Sequence, residues 1–144
     1  MKQKPFDSWI IKTATKNAKC ARLVSDYRYF RIGACIFTKN KILVNGANVN
    51  KTSPMQDKYN HYRPFDTRHM KGCCHAEISA LQRLKRLYPN ISPSEVGIMV
   101  YRETADGKLA LARPCPACEK ALRDYGISNI YYSGKNKMIY EEYK

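Results

Sequence analysis

The chain has 144 residues, a length that suits one domain with a single buried core, so we expect residues 1–144 to form one domain. Hydrophobic residues make up 44% and charged residues 26%, which is a globular composition and excludes collagen-like and low-complexity chains. Lysine and arginine total 26 against 12 acidic residues, and the resulting net charge of +14 favours acidic partners such as nucleotides and nucleic acids.

The positive charge is concentrated in the first half of the chain. Residues 1–72 hold 15 basic and 4 acidic side chains, a net charge of +11, whereas residues 73–144 hold 11 and 8, a net charge of +3. A lysine-rich solvated surface is the ordinary explanation of such a bias. The segment before residue 73 is nevertheless where we expect contacts with phosphate groups.

The opening MKQKPFDSWI lacks the uninterrupted apolar stretch of a signal peptide, and no apolar run approaches the length of a membrane span. We therefore expect a cytoplasmic protein with no membrane partner. In a reducing compartment the six cysteines stay as thiols, which makes Cys115 and Cys118 available to a metal.

The first half of the chain predicts one helix and two strands. Apolar or small side chains recur at helical spacing over residues 6–25. Two nearly continuous apolar runs at 32–38 and 42–47 predict strands that are covered on both faces and joined by a short turn. Residues 49–74 show no periodic pattern and predict a long loop, which in a compact domain is usually functional or disordered.

The second half predicts two helices and three strands, with the last two strands forming an antiparallel hairpin. The predicted elements are a helix over 75–88, a strand over 96–101 whose continuation turns back over 109–112, a helix over 115–125, and strands over 129–133 and 138–143. Pro89 and Gly126 are suitable stops for the two helices. One sheet flanked by helices, an α/β sandwich, accounts for this order.

Two short clusters carry the chemistry. Cys74-His75-Ala76-Glu77 stands at one predicted helix start, and Pro114-Cys115-Pro116-Ala117-Cys118 stands at another. Thiolates three residues apart lie on one helix face, the helix dipole stabilises anionic sulfur, and a histidine completes three ligands. Three ligands leave a fourth tetrahedral position for water, which is the arrangement of a catalytic zinc.

Glu77 follows His75 by two residues, so it can face the fourth position as a proton carrier without binding the metal. The alternative is a closed structural zinc site, for which the sequence offers several fourth ligands: Cys73, Cys74, His61 and His69. The pattern H-x-E followed by P-C-x-x-C is, however, the signature of zinc deaminases.

With these motifs the chain resembles the cytidine and deoxycytidylate deaminase superfamily over most of its length. The runs Ile32-Gly33-Ala34-Cys35-Ile36-Phe37 and Val44-Asn45-Gly46-Ala47-Asn48 are similar to the first two strands of that family. The resemblance implies a three-layer sandwich around a mixed five-stranded sheet, and it implies Zn²⁺ as cofactor. It further implies that His75, Cys115 and Cys118 are zinc ligands, Glu77 is the general acid and base, and Asn48 and Ala76 contact substrate.

Subfamily signals in the sequence are mixed. A histidine as first ligand is more similar to deoxycytidylate, polynucleotide and tRNA adenosine deaminases than to free-cytidine enzymes, so adenine stays open as the base. The final hairpin is more similar to free-nucleoside enzymes. Residues 103–112, before Pro114, form a longer insertion than the family usually has.

These observations predict a deaminase that converts cytosine to uracil in a nucleotide of the dCMP or CMP class and releases ammonia. We expect Lys51, Arg63 and Arg68 to bind the substrate phosphate. One alternative is an enzyme that edits cytosine or adenine in single-stranded DNA or RNA, with Tyr59 and its aromatic neighbours stacking on bases. Another is a zinc-stabilised binding module without turnover, against which Glu77 argues. By resemblance, we also expect a homo-oligomer.

Overall fold

Five strands form one sheet in the computed structural model, which describes residues 6–25, 31–51, 53–60, 62 and 74–143. The strands run in the spatial order β2-β1-β3-β4-β5. Their bounds are Ile32–Phe37 (β1), Ile42–Ala47 (β2), Gly97–Arg102 (β3), Asn129–Ser133 (β4) and Met138–Glu142 (β5). Only β3 and β4 are parallel, and the other neighbouring pairs are antiparallel. The predicted mixed five-stranded sheet and its antiparallel final hairpin are confirmed.

Within the described residues, four α-helices flank the sheet: Ser8–Ala21 (α1), Pro54–Asn60 (α2), Ala76–Leu87 (α3) and Pro116–Tyr125 (α4). Local sequence explains how α4 begins and ends, because Pro116 fits the first helical position and Gly126 adopts a φ of 107°, which favours glycine. Short 3₁₀ turns follow α1 at Arg22–Val24 and precede β3 at Pro93–Glu95. None of the described helices is both long and apolar enough to cross a membrane.

The sheet has a core on each face because successive strand residues point to opposite sides. In β1, Cys35 and Phe37 pack with the buried residues of α1, whereas Ala34 and Ile36 pack with those of α3 and α4. Both β1 and β2 are therefore buried on both faces, as their apolar runs predict. The layers are α1, the sheet, and the group α2, α3 and α4, which confirms the three-layer sandwich.

Two glycines let helices lie directly on the sheet backbone. A methyl group at Gly33 would overlap the carbonyl oxygen of Ala18 in α1. On the other face, a Cβ at Gly46 would come within 2.6 Å of the backbone nitrogen of Ala80 in α3. Any side chain at Gly46 would push α3 away from the sheet, and α3 carries the residues described in the next subsection.

The prediction of a continuous loop over residues 49–74 is wrong for residues 54–60, which form α2. The helix is short, and its buried side chains are one aromatic and one amide, Tyr59 and Gln56, so it lacks a detectable apolar stripe. Ser53 begins the helix, since its Oγ accepts the backbone N–H of Gln56 at 3.2 Å. Residues 103–112 turn back as expected, through an isolated bridge between Glu103 and Leu109.

Candidate metal centre and active site

The N-termini of α3 and α4 bring the candidate ligands together. His75 is the N-cap of α3, Cys115 is the N-cap of α4, and Cys118 lies in the first turn of α4. Val49, just beyond β2, exchanges two backbone hydrogen bonds of 2.9 Å with Cys74, which fixes the chain immediately before His75. Two segments far apart in sequence thus meet at one end of the sheet.

The ligand atoms of His75, Cys115 and Cys118 all lie within 4.8 Å of one another. His75 Nδ1 is 3.6 Å from Cys115 Sγ and 3.3 Å from Cys118 Sγ. A tetrahedral zinc with ordinary Zn–N and Zn–S bonds separates nitrogen from sulfur by about 3.6 Å. The donor set and its spacing therefore fit a zinc ion.

Cys74 is placed outside this group. Its Sγ lies 3.8 Å from both Ser53 Oγ and Gln82 Oε1, and its side chain is buried in the core. Among the other candidates for a fourth ligand, Cys73, His61 and His69 lie outside the described residues. The five described cysteines form no disulfide with one another, as expected for thiols available to a metal.

The environment favours the ionised form of Cys115. A hydrogen bond from Cys118 and then the interaction with His75 lower the pKa of the Cys115 thiol to about 3, against the opposing effect of burial. The thiolate is the form that binds metal, so the lowered pKa of the Cys115 thiol favours binding of a metal cation.

Glu77 lies in the first turn of α3, with only 4% of its surface exposed. Burial raises the pKa of its carboxyl to about 7, while attraction to His75 partly opposes the rise. Cys115 raises and Cys118 lowers the pKa of the same carboxyl, so Glu77 is close enough to interact with all three members of the ligand group. A carboxyl with a pKa near neutrality can accept a proton and return it.

Asn48 stands at the end of β2, one residue before the bridge to Cys74. It is 4% exposed, and its Oδ1 accepts hydrogen bonds from the Ser25 hydroxyl at 2.7 Å and from the backbone N–H of Ile32 at 2.9 Å. The sequence pattern around Asn48 did not predict this hydrogen bond from Ser25. The two residues are 23 positions apart, and no local pattern connects them.

Gln56 is a second residue that the sequence pattern did not reveal. It belongs to α2, is 1% exposed, and accepts the backbone N–H of His75 through Oε1 at 2.9 Å. Its Nε2 donates to Asn60 Oδ1 at 2.7 Å, which fixes the orientation of the amide. The unexpected helix therefore holds the backbone of a candidate ligand.

The remaining predicted substrate residues are only partly described. Ala76 is the first residue of α3 and is fully buried, and Lys51 is exposed shortly after the bridge residue Val49. Arg63 and Arg68 lie outside the described residues. The individual roles assigned to Glu77, Asn48 and Ala76 stay predictions.

A family comparison bears directly on this ligand group. The model of the cytidine and deoxycytidylate deaminase zinc-binding region matches residues 4–134, which is most of the chain. The chain belongs to this deaminase family. The predicted membership of the cytidine and deoxycytidylate deaminase superfamily is thereby confirmed. His75, Cys115 and Cys118 are positioned to bind a metal, in agreement with the zinc-binding region that the family model describes. A comparison with curated protein sequences gave no significant match.

Solved structures of deaminases share the fold of this family member. A cytidine deaminase from Burkholderia pseudomallei superposes with a TM-score of 0.61 at 23% sequence identity, covering 91% of each chain. A dCMP deaminase from the cyanophage S-TIM5 gives a TM-score of 0.62 at 22% identity, covering 88% of this chain and 84% of that chain. The same phage enzyme in complex with dCMP and dUMP gives 0.61 at 20% identity, covering 88% and 82%. These similarities establish the common fold.

Proposed function

We propose that the protein is a hydrolytic deaminase that converts cytosine to uracil in a mononucleotide of the dCMP or CMP class. The reaction consumes one water molecule and releases one ammonia molecule. The observation that supports it best is the cluster of His75, Cys115 and Cys118 at the helix starts, with the buried Glu77 carboxyl in the first turn of α3.

In this proposal His75, Cys115 and Cys118 hold the zinc ion. Bound zinc supplies a Lewis acid that lowers the pKa of a coordinated water toward neutrality. Glu77 takes a proton from the attacking water and delivers it to N3 of the cytosine ring. It then takes the second water proton from the hydroxyl group now on C4 and passes it to the amino group, so that the C4–N bond breaks and ammonia departs. Burial favours this role, because a carboxyl whose pKa is about 7 can carry protons in both directions near neutral pH.

Asn48 is proposed to act on the substrate as a hydrogen-bond donor. Asn48 Oδ1 accepts the backbone N–H of Ile32 and shares the single proton of the Ser25 hydroxyl with the Asn48 backbone carbonyl, so this oxygen is already engaged within the protein. A contact with substrate therefore uses the amide nitrogen and requires an acceptor. A sugar hydroxyl oxygen or a phosphate oxygen satisfies this requirement.

Two features favour a mononucleotide as substrate: the positive charge of the first half of the chain, and a histidine, His75, as the first candidate zinc ligand. Residues 1–72 carry a net charge of +11, and the exposed Lys51 follows the strand end that holds Asn48. We propose that Lys51, Arg63 and Arg68 contact the 5′-phosphate. The structurally similar phage protein that was solved with dCMP and dUMP supports the nucleotide class. A cytoplasmic location and a homo-oligomer remain predictions.

A second candidate is deamination within single-stranded DNA or RNA. The net charge of +14 favours it, because each neutralised phosphate releases counterions and adds affinity. In that case adenine is also a candidate base.

Parallel assays of ammonia release separate these candidates. We expect the purified, zinc-loaded protein to give its highest kcat/KM with dCMP or CMP, a lower value with deoxycytidine, and little turnover of cytosine-containing or adenine-containing oligonucleotides. A higher kcat/KM with an oligonucleotide than with a mononucleotide would contradict the proposed mononucleotide substrate and support the second candidate, deamination within single-stranded DNA or RNA. Absence of ammonia release from every substrate, in a sample with about one zinc per chain, would contradict the deaminase proposal itself.

A further inference from the structure

The outward face of α1 carries one aromatic and three basic side chains in a line. Trp9, Lys12, Lys16 and Lys19 are all exposed, and we refer to them as the α1 stripe. At 100° per residue these positions fall within an arc of about 80°. Trp9 keeps 52% of its surface exposed, which is unusual for so large an apolar side chain.

Positive charge on the stripe is poorly compensated. The helix Ser8–Ala21 contains no acidic residue. Lys19 lies 3.8 Å from Glu103, whereas Lys12 and Lys16 form no ion pair within the part of the chain that the structure describes. An anionic partner would therefore meet at least two lysines whose charge is not already neutralised.

The stripe lies across the sheet from the metal centre. Its helix buries Ile10, Ala14 and Ala18 against one sheet face, and Cys118 belongs to the core on the opposite face. A ligand on the outward side of α1 is thus separated from the candidate active site by a helix and the sheet. The proposed deamination neither needs this surface nor explains it.

We infer that the α1 stripe binds single-stranded nucleic acid. Lys12 and Lys16 are separated by a rise of about 6 Å, and the stripe from Trp9 to Lys19 spans about 15 Å. A stripe of this length accommodates a few nucleotides of a single strand. The lysines contact phosphates, and the Trp9 ring stacks on an unpaired base, which a duplex does not offer.

A membrane surface is the less suitable partner. Interfacial helices insert a broad apolar face into the lipid, but the apolar face of α1 is already buried in the core. Trp9 is the one aromatic group in a stripe that is otherwise cationic. Positive charge beside an aromatic stacking platform is the combination found in single-strand binding sites.

Trp9 makes the inference directly testable, since it is the only tryptophan in the chain. We expect oligo(dT) to quench the intrinsic tryptophan fluorescence of the zinc-loaded protein, and thymine has no amino group to be removed. The variant Lys12→Gln/Lys16→Gln should bind labelled oligo(dT) about 25-fold more weakly at 0.1 M salt. Its salt dependence should be shallower by about 1.4 log units per decade, which is 0.7 for each lost phosphate contact. Trp9→Ala, followed by anisotropy, should weaken binding at least fivefold.

The matched control is Lys135→Gln/Lys137→Gln, which removes the same charge from the exposed turn between β4 and β5. It should retain the fluorescence quenching and most of the affinity. Equal losses in the two double variants would overturn the inference, because they would show a general effect of charge. Unchanged tryptophan fluorescence, or binding to phosphatidylserine vesicles in place of oligo(dT), would also overturn it. The α1 variants should deaminate a mononucleotide at the wild-type rate, so this test and that of the proposed function fail independently.

Discussion

Replacing Gln56 by methionine tests whether α2 supports the candidate metal centre. Methionine has nearly the size of glutamine but lacks its acceptor, so the backbone N–H of His75 loses a hydrogen bond of 2.9 Å. A buried donor left without an acceptor lowers the free energy of unfolding by about 1–3 kcal/mol. Because this hydrogen bond is only partly buried, we expect a loss of about 1–2 kcal/mol. The partner of Gln56 Nε2 is Asn60, a half-buried residue that water can still reach, so its loss adds little.

The expected change in melting temperature follows from chain length. An unfolding entropy of about 2.1 cal/mol/K per residue gives roughly 0.3 kcal/mol/K for this chain, so 1–2 kcal/mol lowers Tm by about 3–7 °C. Calorimetry of the zinc-loaded protein measures the shift. Competition with a chelator should reveal a zinc affinity about 10-fold to 100-fold lower, because groups that orient a ligand have effects of this size.

The matched variant is Gln56→Glu, which keeps an oxygen acceptor toward His75. It should retain more of the zinc affinity than Gln56→Met. Wild-type melting and wild-type zinc affinity in the methionine variant would refute the idea that α2 positions His75. A large loss of stability with unchanged zinc affinity would restrict Gln56 to a role in packing.

Three further predictions concern the reaction and the stability of the fold. Glu77→Gln should keep about one zinc per chain, measured by metal analysis, and lose at least 100-fold in kcat, since it cannot carry protons; activity within a few-fold of wild type would refute the assigned role. Asn48→Asp keeps an acceptor for Ser25 and Ile32 but removes the amide donor, so it should raise KM more than it lowers kcat while leaving Tm within a few degrees; unchanged KM would contradict the proposed contact. Arg113 lowers the pKa of Glu141, so their ion pair of 2.9 Å stabilises the fold above the ordinary pKa of a glutamate, and this contribution is lost as the pH falls through the lowered value. Arg113→Gln should therefore cost less than about 1 kcal/mol in urea unfolding at pH 7, because both side chains are partly exposed, and progressively less as the pH falls through the lowered pKa of Glu141; a cost that does not change with pH would exclude the ion pair as its source.

The parts of the fold that local sequence determines were predictable. Cys115 and Cys118 lie three residues apart at the start of α4, and His75 is the N-cap of the preceding helix α3, so local helix geometry orients each group. The two apolar runs that became β1 and β2 are likewise local signals. The candidate ligand group and the sequence of helices and strands along the chain follow from such patterns.

Other features depend on contacts between residues that are far apart in sequence, and no periodic pattern of side chains predicts them. Gln56 reaches His75 across 19 positions, and Ser25 reaches Asn48 across 23. The helix that contains Gln56 shows no apolar stripe, because burial in α2 falls on an amide and a tyrosine. Sequence patterns therefore predicted the candidate ligand residues but not the residues that hold them in place.

The parallel pairing of β3 and β4 has a consequence for how the protein acquires its metal. His75 and Cys115 are 40 positions apart, and β3 lies between them, so the ligands converge only after a long segment of chain has closed. Pairing across such separations is a slow step in folding. Before that step the nascent chain presents only the two thiols of Cys115 and Cys118, which form an incomplete ligand set. We therefore expect zinc to be captured late, and tight metal retention to report that the polypeptide has completed its fold.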